Sequence, residues 1–388
     1  MRGQLPTRRP ALLAERRRSL VTALTILPAL MLVATSADRA FADDSAASVA
    51  SGGIELKKES RISMNSERLT ITMSSVLVDY EFVNETDKDI TTEVAFLIAD
   101  YRCDQPIEGC PEKEFSDFRV WVEGREVTYS VDLKAVVKGH DYRNLLESLG
   151  IDVDAFGHFD DAALAQGAHD GGAKSDFAKL SPAEHENLIQ LGLIDRDETI
   201  PLWTIKKFFH WQQMFPARST LHIRHEYKPL LGWTDLDYKS IQAADPENRR
   251  TRLERARQRL KDSSGGARQS AEYDVWLLAT MDDICVDENL QHRLEDGVRQ
   301  KQAFVLSWVD FVLKTANNWR VPLKNFELLV EKPAPADRSQ WYVSFCWNGP
   351  VERVDSTHFR ASARDFVPAR DLRIAFFEAR SEAPQTTP

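Results

Sequence analysis

The sequence predicts a mainly β (α+β) protein built of antiparallel, β-sandwich-like regions with a helical insertion. Three observations carry that prediction. Residues of one face recur at a period of two in run after run, as Val76, Val78, Tyr80 and Phe82 do against Leu77, Asp79, Glu81 and Val83. Short polar turns separate the runs, among them Asn84-Glu85-Thr86-Asp87 and Glu123-Gly124-Arg125. Helical spacing is confined to a middle stretch and one charged segment. Many short strands joined by tight turns pack as face-to-face antiparallel sheets.

Taken in order, residues 1–42 read as a secretory signal. Arg8, Arg9 and Arg16-Arg17-Arg18 make a basic start, Ser19 to Ala37 carries no charge, and Ala40-Phe41-Ala42 is a cleavage site that starts the mature chain at Asp43. The uncharged run is about as long as a membrane span, which leaves an uncleaved anchor as the alternative; Pro28 interrupts it and favours cleavage. Thr7-Arg8-Arg9 with Leu12-Leu13 partly matches a twin-arginine signal, and the general export pathway is the simpler reading. The expected location is periplasmic or secreted.

Residues 43–134 form an N-terminal β region, with strands from Val76, Ile90 and Phe118 and a hairpin closed at Glu123-Gly124-Arg125. Residues 135–198 are the helical insertion. Tyr142, Leu145, Leu146 and Leu149 have helical spacing before Gly150, and Ser181-Pro182-Ala183-Glu184 is a capping box whose helix ends at Gly192. His140, His158, His169 and His185 lie scattered there as surface residues, with Gly171-Gly172 as a joint. Residues 199–234 return to strands that complete the first region: Trp203, Ile205, Phe209 and Trp211 share one face, and so do Leu221, Ile223, His225 and Tyr227. Residues 235–272 are a charged helix and linker, opened by Asp245-Pro246 and ended by Ser263-Ser264-Gly265-Gly266. Its arginines, Arg249, Arg250, Arg252, Arg255, Arg257 and Arg259, form either a solvated face balanced by the acidic body or a patch for an anionic partner. Residues 273–380 are a C-terminal β region, with strands at Val305, Phe326, Trp341, Phe359 and Leu372, and residues 381–388 read as a disordered tail.

The formal net charge is −10, and residues 1–42 hold seven Arg against Glu15 and Asp38, so the mature chain sits near −15. A chain that acidic repels phosphate backbones and anionic lipid, which argues against nucleic acid as a partner. No second long apolar run follows the signal, so the mature chain contains no membrane span. The four cysteines all follow the signal, and an even count in an exported chain reads as two disulfides. Cys103 and Cys110 enclose a turn-rich hexapeptide and pair locally, which leaves Cys285 with Cys346. The long bridge stabilises by about 4 kcal/mol in the chain-entropy estimate, more than the short one.

No Gly-x-Ser-x-Gly elbow, phosphate loop, dinucleotide fingerprint or His-Glu-x-x-His occurs, and neither a cofactor nor a metal is expected. His222 and His225 are three apart in a strand and so face opposite sides. Asp282-Asp283 with Asp287-Glu288 lacks the glycine and alternating ligands of a calcium loop and reads as acidic surface. Among titratable residues His225 stands out. It falls on an apolar face next to Tyr227, and the preceding strand supplies His210 and Trp211. It is either a buried, hydrogen-bonded histidine or a ligand-binding or catalytic one. Trp319, between two Asn and Pro322, either plugs a sandwich end or contacts a partner. The candidate binding residues are therefore Trp211, His225, Tyr227 and Trp319.

Several motifs, in order, resemble the secreted bacterial domain-of-unknown-function family 4424. They are Asp43-Asp44-Ser45 with Gly52-Gly53-Ile54, Phe82-Val83-Asn84 through Ile90, Trp211-Gln212 with Phe215-Pro216-Ala217, and His225-Glu226-Tyr227-Lys228-Pro229. Towards the C-terminus come Thr315-Ala316-Asn317-Asn318-Trp319 with Pro322, Val343-Ser344-Phe345-Cys346, Asp365-Phe366-Val367-Pro368 and Arg370-Asp371-Leu372. Asn317 replaces a usually small residue, and the Arg-rich helix is an addition to the pattern. The resemblance implies export and β-rich structure and carries no catalytic residue with it. The expected role is non-enzymatic, binding a protein or glycan partner in the envelope. The alternative is a periplasmic hydrolase using His225 with a carboxylate.

Overall fold

A computed structural model describes residues 44–50, 53–102, 116–154, 177, 179–194, 196, 201–243, 245–246, 248–336 and 339–381. The signal, the mature start at Asp43, the Cys103–Cys110 pairing, His158, His169, the Gly171-Gly172 joint and the tail from residue 382 on lie outside the described residues.

In chain order the strands are β1 (Asp44–Ala50), β2 (Gly53–Leu56), β3 (Ile62–Ile71), β4 (Val76–Asn84), β5 (Ile90–Leu97) and β6 (Ser116–Val122). Then follow β7 (Arg125–Glu126), β8 (Ser130–Val137), β9 (His140–Asp141), β10 (Thr204–Phe215), β11 (Ser219–Lys228) and β12 (Gly232–Leu236). The last six are β13 (Gln302–Phe311), β14 (Leu323–Glu331), β15 (Ser339–Ser344), β16 (Val351–Arg353), β17 (His358–Phe366) and β18 (Leu372–Ser381). The helices are α1 (Arg143–Ser148), α2 (Pro182–Leu191), α3 (Tyr238–Ala243), α4 (Arg249–Asp262), α5 (Gly265–Asp283) and α6 (Glu288–Arg299).

The strands form three sheets: a six-stranded one ordered β2-β1-β5-β10-β8-β9, an eight-stranded one ordered β16-β17-β14-β3-β4-β11-β6-β7, and a four-stranded one ordered β12-β13-β18-β15. The first two pack face to face. Tyr80, Phe82 and Ile223 from the larger sheet share one core cluster with Val94, Phe96, Trp211 and Phe215 from the smaller. Alternation explains the pairing. In β4 every second residue from Val76 to Asn84 is buried, and in β11 Leu221, Ile223, His225 and Tyr227 are buried while their neighbours are exposed. The four-stranded sheet is buried on both faces. Phe376 joins the main core, whereas the adjacent Phe377 packs with Ile241, Met281, Leu290 and Leu294 under the helices.

This arrangement joins the N- and C-terminal β regions in one sheet. β14 pairs in parallel with β3, from Asn325 opposite Ser66 to Val330 opposite Ile71. The C-terminal strands β14, β17 and β16 thus extend the N-terminal sheet, and Phe311, Trp319 and Phe326 lie in the same core as Phe82 and Phe96. A boundary at residue 273 also falls inside α5. Ser263-Ser264-Gly265-Gly266 ends α4, as expected, and leads directly into α5, with Gly265 at φ +56°.

Two local expectations hold. Ser181 accepts from the Glu184 backbone and Glu184 bonds back to the Ser181 N–H, with Gly192 ending α2 at φ +74°. Cys285 and Cys346 are bonded, with Cα atoms 4.9 Å apart, which ties the end of α5 to the residues following β15.

Candidate functional site

The four candidates drawn from the sequence are placed in the core. His225 is wholly buried, Trp319, Tyr227 and Trp211 are at most 5% exposed, and none reaches the surface. The His225 ring centroid lies 4.9 Å from Phe96, 5.4 Å from Tyr80 and from Phe118, and 5.5 Å from Trp211. Tyr227 joins the same cluster through Phe96 at 5.4 Å. Desolvation holds the imidazolium back, so the pKa of His225 falls to about 3. A neutral imidazole sealed between two sheets is out of reach of any substrate. His210 faces away from it, bonded to Glu93 at 2.6 Å. Trp319 fills the core beside Phe82, 4.7 Å away. Aromatic side chains at a period of two look the same in sequence whether they fill a core or line a cleft.

The opposite face of β11 is open. There His222, Arg224 and Glu226 project outward, and the strand register lays charges in a row across the eight-stranded sheet. Glu327 of β14 stands opposite Arg68 of β3, Arg68 opposite Asp79 of β4, Asp79 opposite Arg224, Arg224 opposite Trp121 of β6, and Trp121 opposite Glu126 of β7. Arg68 donates to Glu327 at 2.9 Å. In β6, Phe118 and Val120 point into the core, which puts Trp121 outside with Arg119. The Arg119 guanidinium sits 4.7 Å from the Trp121 ring centroid and is held there by two bonds to Glu126, at 3.0 and 2.8 Å. Arg224 lies 5.8 Å from the same ring and 3.9 Å from Glu226.

One turn supports this arrangement. Glu123 adopts φ +50° and Gly124 +74°, the left-handed geometry that a two-residue hairpin needs and that a glutamate adopts only under strain. The strained residue has a task. Its carboxylate accepts the His222 backbone N–H at 2.7 Å and lies 3.3 Å from His222 Nδ1, and that backbone bond draws the Glu123 carboxyl below the usual range. The result is a shallow cleft of about 460 Å³ lined by Asp79, Tyr80, Trp121, Gly124, His222 and Arg224, with Ile223 and Glu226. It offers donors and acceptors of both signs around an indole and is open to solvent. No sealed acid–base pair lies in it. His222 and Arg224 were visible in the sequence as an outward face, whereas Trp121 was missed. The available signal was a large aromatic at the polar phase of an alternating strand.

Two of the carboxylates flanking Cys285 are structural: Asp282 lies 3.4 Å from Arg249, and Asp287 caps α6 by accepting the Leu290 N–H at 2.7 Å. Among the described residues no cluster of His, Cys, Asp and Glu is arranged to hold a metal ion, and no helix is long and apolar enough to cross a membrane.

The model of the family described as Domain of unknown function (DUF4424) matches residues 42–375. No curated protein matches the chain. Among solved structures, one that is similar is a Legionella pneumophila protein provisionally named as nutrient binding, at 12% identity and TM-score 0.37, covering 86% of this chain and 72% of that one. Another is an M1 zinc metallopeptidase from Deinococcus radiodurans, at 9% identity and TM-score 0.23, covering 83% of this chain and 43% of that one.

Proposed function

We propose that this chain, which belongs to the DUF4424 family, is an exported, non-catalytic binding protein that engages an envelope protein or glycan through the open face of its eight-stranded sheet. The observation that carries the reading is the cleft at Trp121, a half-buried indole on the outer face of the sheet, flanked by two guanidiniums and by carboxylates. Recognition surfaces favour such a site, because an aromatic body supplies contact area and the polar groups around it set orientation. The hydrolase reading loses its residue, since His225 lies inside the aromatic core. Export itself rests on the basic and uncharged segments of residues 1–42.

The test compares wild type with Trp121→Ala and Arg224→Ala on a glycan array and in affinity capture from envelope extract. The reading expects one ligand or partner to be retained by wild type and lost by both variants at unchanged thermal stability. A partner captured equally well by both variants would refute it. So would hydrolysis of a profiled substrate that His225→Gln abolishes.

A further inference from the structure

The bridge between Cys285 and Cys346 takes no part in that reading, and its two ends differ. Cys285 is exposed, whereas Cys346 is only 6% exposed. Cys285 follows the end of α5 at φ +52°, in the left-handed conformation that a helix end usually reserves for glycine. The Arg370 guanidinium, from the loop between β17 and β18, meets the Cys285 Sγ at 3.8 Å. Asp282 and Asp287, acidic neighbours of Cys285, are engaged by Arg249 and by the Leu290 N–H. The Cys346 Sγ lies inside, 3.2 Å from the Asp283 carbonyl oxygen and 3.4 Å from that of Asp282. Among the described residues no backbone N–H donates to the Asp283 carbonyl.

Thiol–disulfide exchange needs an incoming thiolate, access to one sulfur and a place for the other to go. Access is at Cys285. A guanidinium beside the attacked sulfur draws in the thiolate and steadies the anion which that sulfur later becomes. The sulfur that leaves is Cys346. Once protonated, it has the Asp282 and Asp283 carbonyls as acceptors, so reduction strands no buried donor.

We propose that the Cys285–Cys346 bridge is an exchange site for a dithiol, attacked at Cys285 while the protein stays folded. The first thiolate of the dithiol bonds to the Cys285 Sγ as the bond to Cys346 breaks. Cys346 leaves with the electron pair of that bond and takes a proton from water. The second thiolate then attacks the dithiol's own sulfur in the mixed disulfide and releases Cys285 as a thiolate beside Arg370. Two electrons pass to the bridge, and the dithiol becomes a disulfide. What opens is the end of α5. On the other side of the bond Trp347 stays stacked on Phe326, with ring centroids 5.5 Å apart, and β15 stays paired with β18. The inference is independent of the cleft at Trp121.

The test exposes the folded protein, without denaturant, to dithiothreitol or to glutathione, traps free thiols with N-ethylmaleimide and maps the peptides. The proposal expects the bond to open about tenfold or more faster than the protein unfolds globally, a rate taken from urea jumps extrapolated to water. Glutathione should sit on Cys285 about tenfold or more in excess over Cys346. Arg370→Gln should slow opening about threefold or more at unchanged melting temperature, and Arg370→Lys should restore most of the rate. The Ile284 and Cys285 amides bond to the Thr280 and Asp282 carbonyls. After reduction by dithiothreitol they should exchange about tenfold faster, while the Ile223 amide in the core should not change. Opening no faster than global unfolding, or glutathione mainly on Cys346, would overturn the proposal. So would an unchanged rate in Arg370→Gln, or unchanged exchange at Ile284 after reduction.

Discussion

Replacing His225 with Gln should separate a sealed structural histidine from a working one, and the pH dependence makes the test quantitative. Near pH 7 the substitution removes ring contacts with Phe96, Tyr80, Phe118 and Trp211 at 4.9 to 5.5 Å and leaves a flexible amide among aromatic faces. A loss of about 2–4 kcal/mol is expected for a change of that kind in a packed core. Acid then works against the wild type. Above the ordinary histidine pKa of 6.5 the imidazole is neutral in both the folded and the unfolded chain. Below it the unfolded chain takes up a proton that the native state refuses until pH about 3. Stability present above 6.5 is therefore lost as the pH falls, by about 1.4 kcal/mol per pH unit, or about 3 kcal/mol by pH 4.5. The Gln variant has no such proton to take up. Urea melts of both proteins across that range should show the gap between them closing, while acid effects common to both cancel. A gap that stays constant with pH would refute the sealed, neutral assignment. Full stability of the variant with lost partner binding would return His225 to the site.

Further outcomes test packing, the bridge and the strained turn. A Cβ on Gly297 would lie 2.4 Å from Phe304 Cζ, and one on Gly232 would lie 2.2 Å from Trp308 Cε2, so Gly297→Ala and Gly232→Ala should each lower stability by about 1–3 kcal/mol in denaturant melts. For Gly297 this reverses the gain of about 1 kcal/mol that alanine brings to a free helix. Non-reducing peptide mapping should recover Cys285 linked to Cys346, and removing that bridge should cost about 4 kcal/mol, given its span of 61 residues. The same map should show Cys103 linked to Cys110 and no free thiol. Glu123→Gln should loosen the β6–β7 hairpin, read as faster amide exchange at His222. Because the Glu123 carboxyl titrates below its usual range, wild type should approach the variant's exchange rate only as the pH falls below that of an ordinary glutamate.

The strands were legible wherever one face is buried and the other is not. Val76 to Phe82 and Leu221 to Tyr227 alternate cleanly, and the structure buries the faces the alternation marked. The Ser181 capping box was equally plain, because its hydrogen bonds are made within four residues. Partner choice was not legible. Alternation in Leu323 to Glu331 marks a strand but says nothing of which neighbour it takes, so its parallel pairing with β3 could not be anticipated. Helix α6 was hidden by composition: Leu290, Leu294 and Gly297 make its buried stripe, and a glycine that admits Phe304 does not look like a core position. The candidate site failed for a related reason. Aromatics on the apolar phase fill the interior, whereas Trp121, half-buried on the outer face, stood on the polar phase.

The parallel pairing of β3 with β14 imposes an order on folding. Arg68 meets Glu327 across 259 residues, so the backbone N–H and C=O groups of Ser66 to Ile71 that face β14 stay uncovered until the last quarter of the chain has emerged. Closing so long a loop is slow. In the interval β3 is a bare edge beside an already pairable β4, a template for any extended segment nearby. A chain threaded unfolded across a membrane would expose that edge throughout its transit, and a fragment cut before residue 323 would keep it permanently. Such fragments should aggregate through β3, whereas the complete chain hides that edge in the middle of its largest sheet.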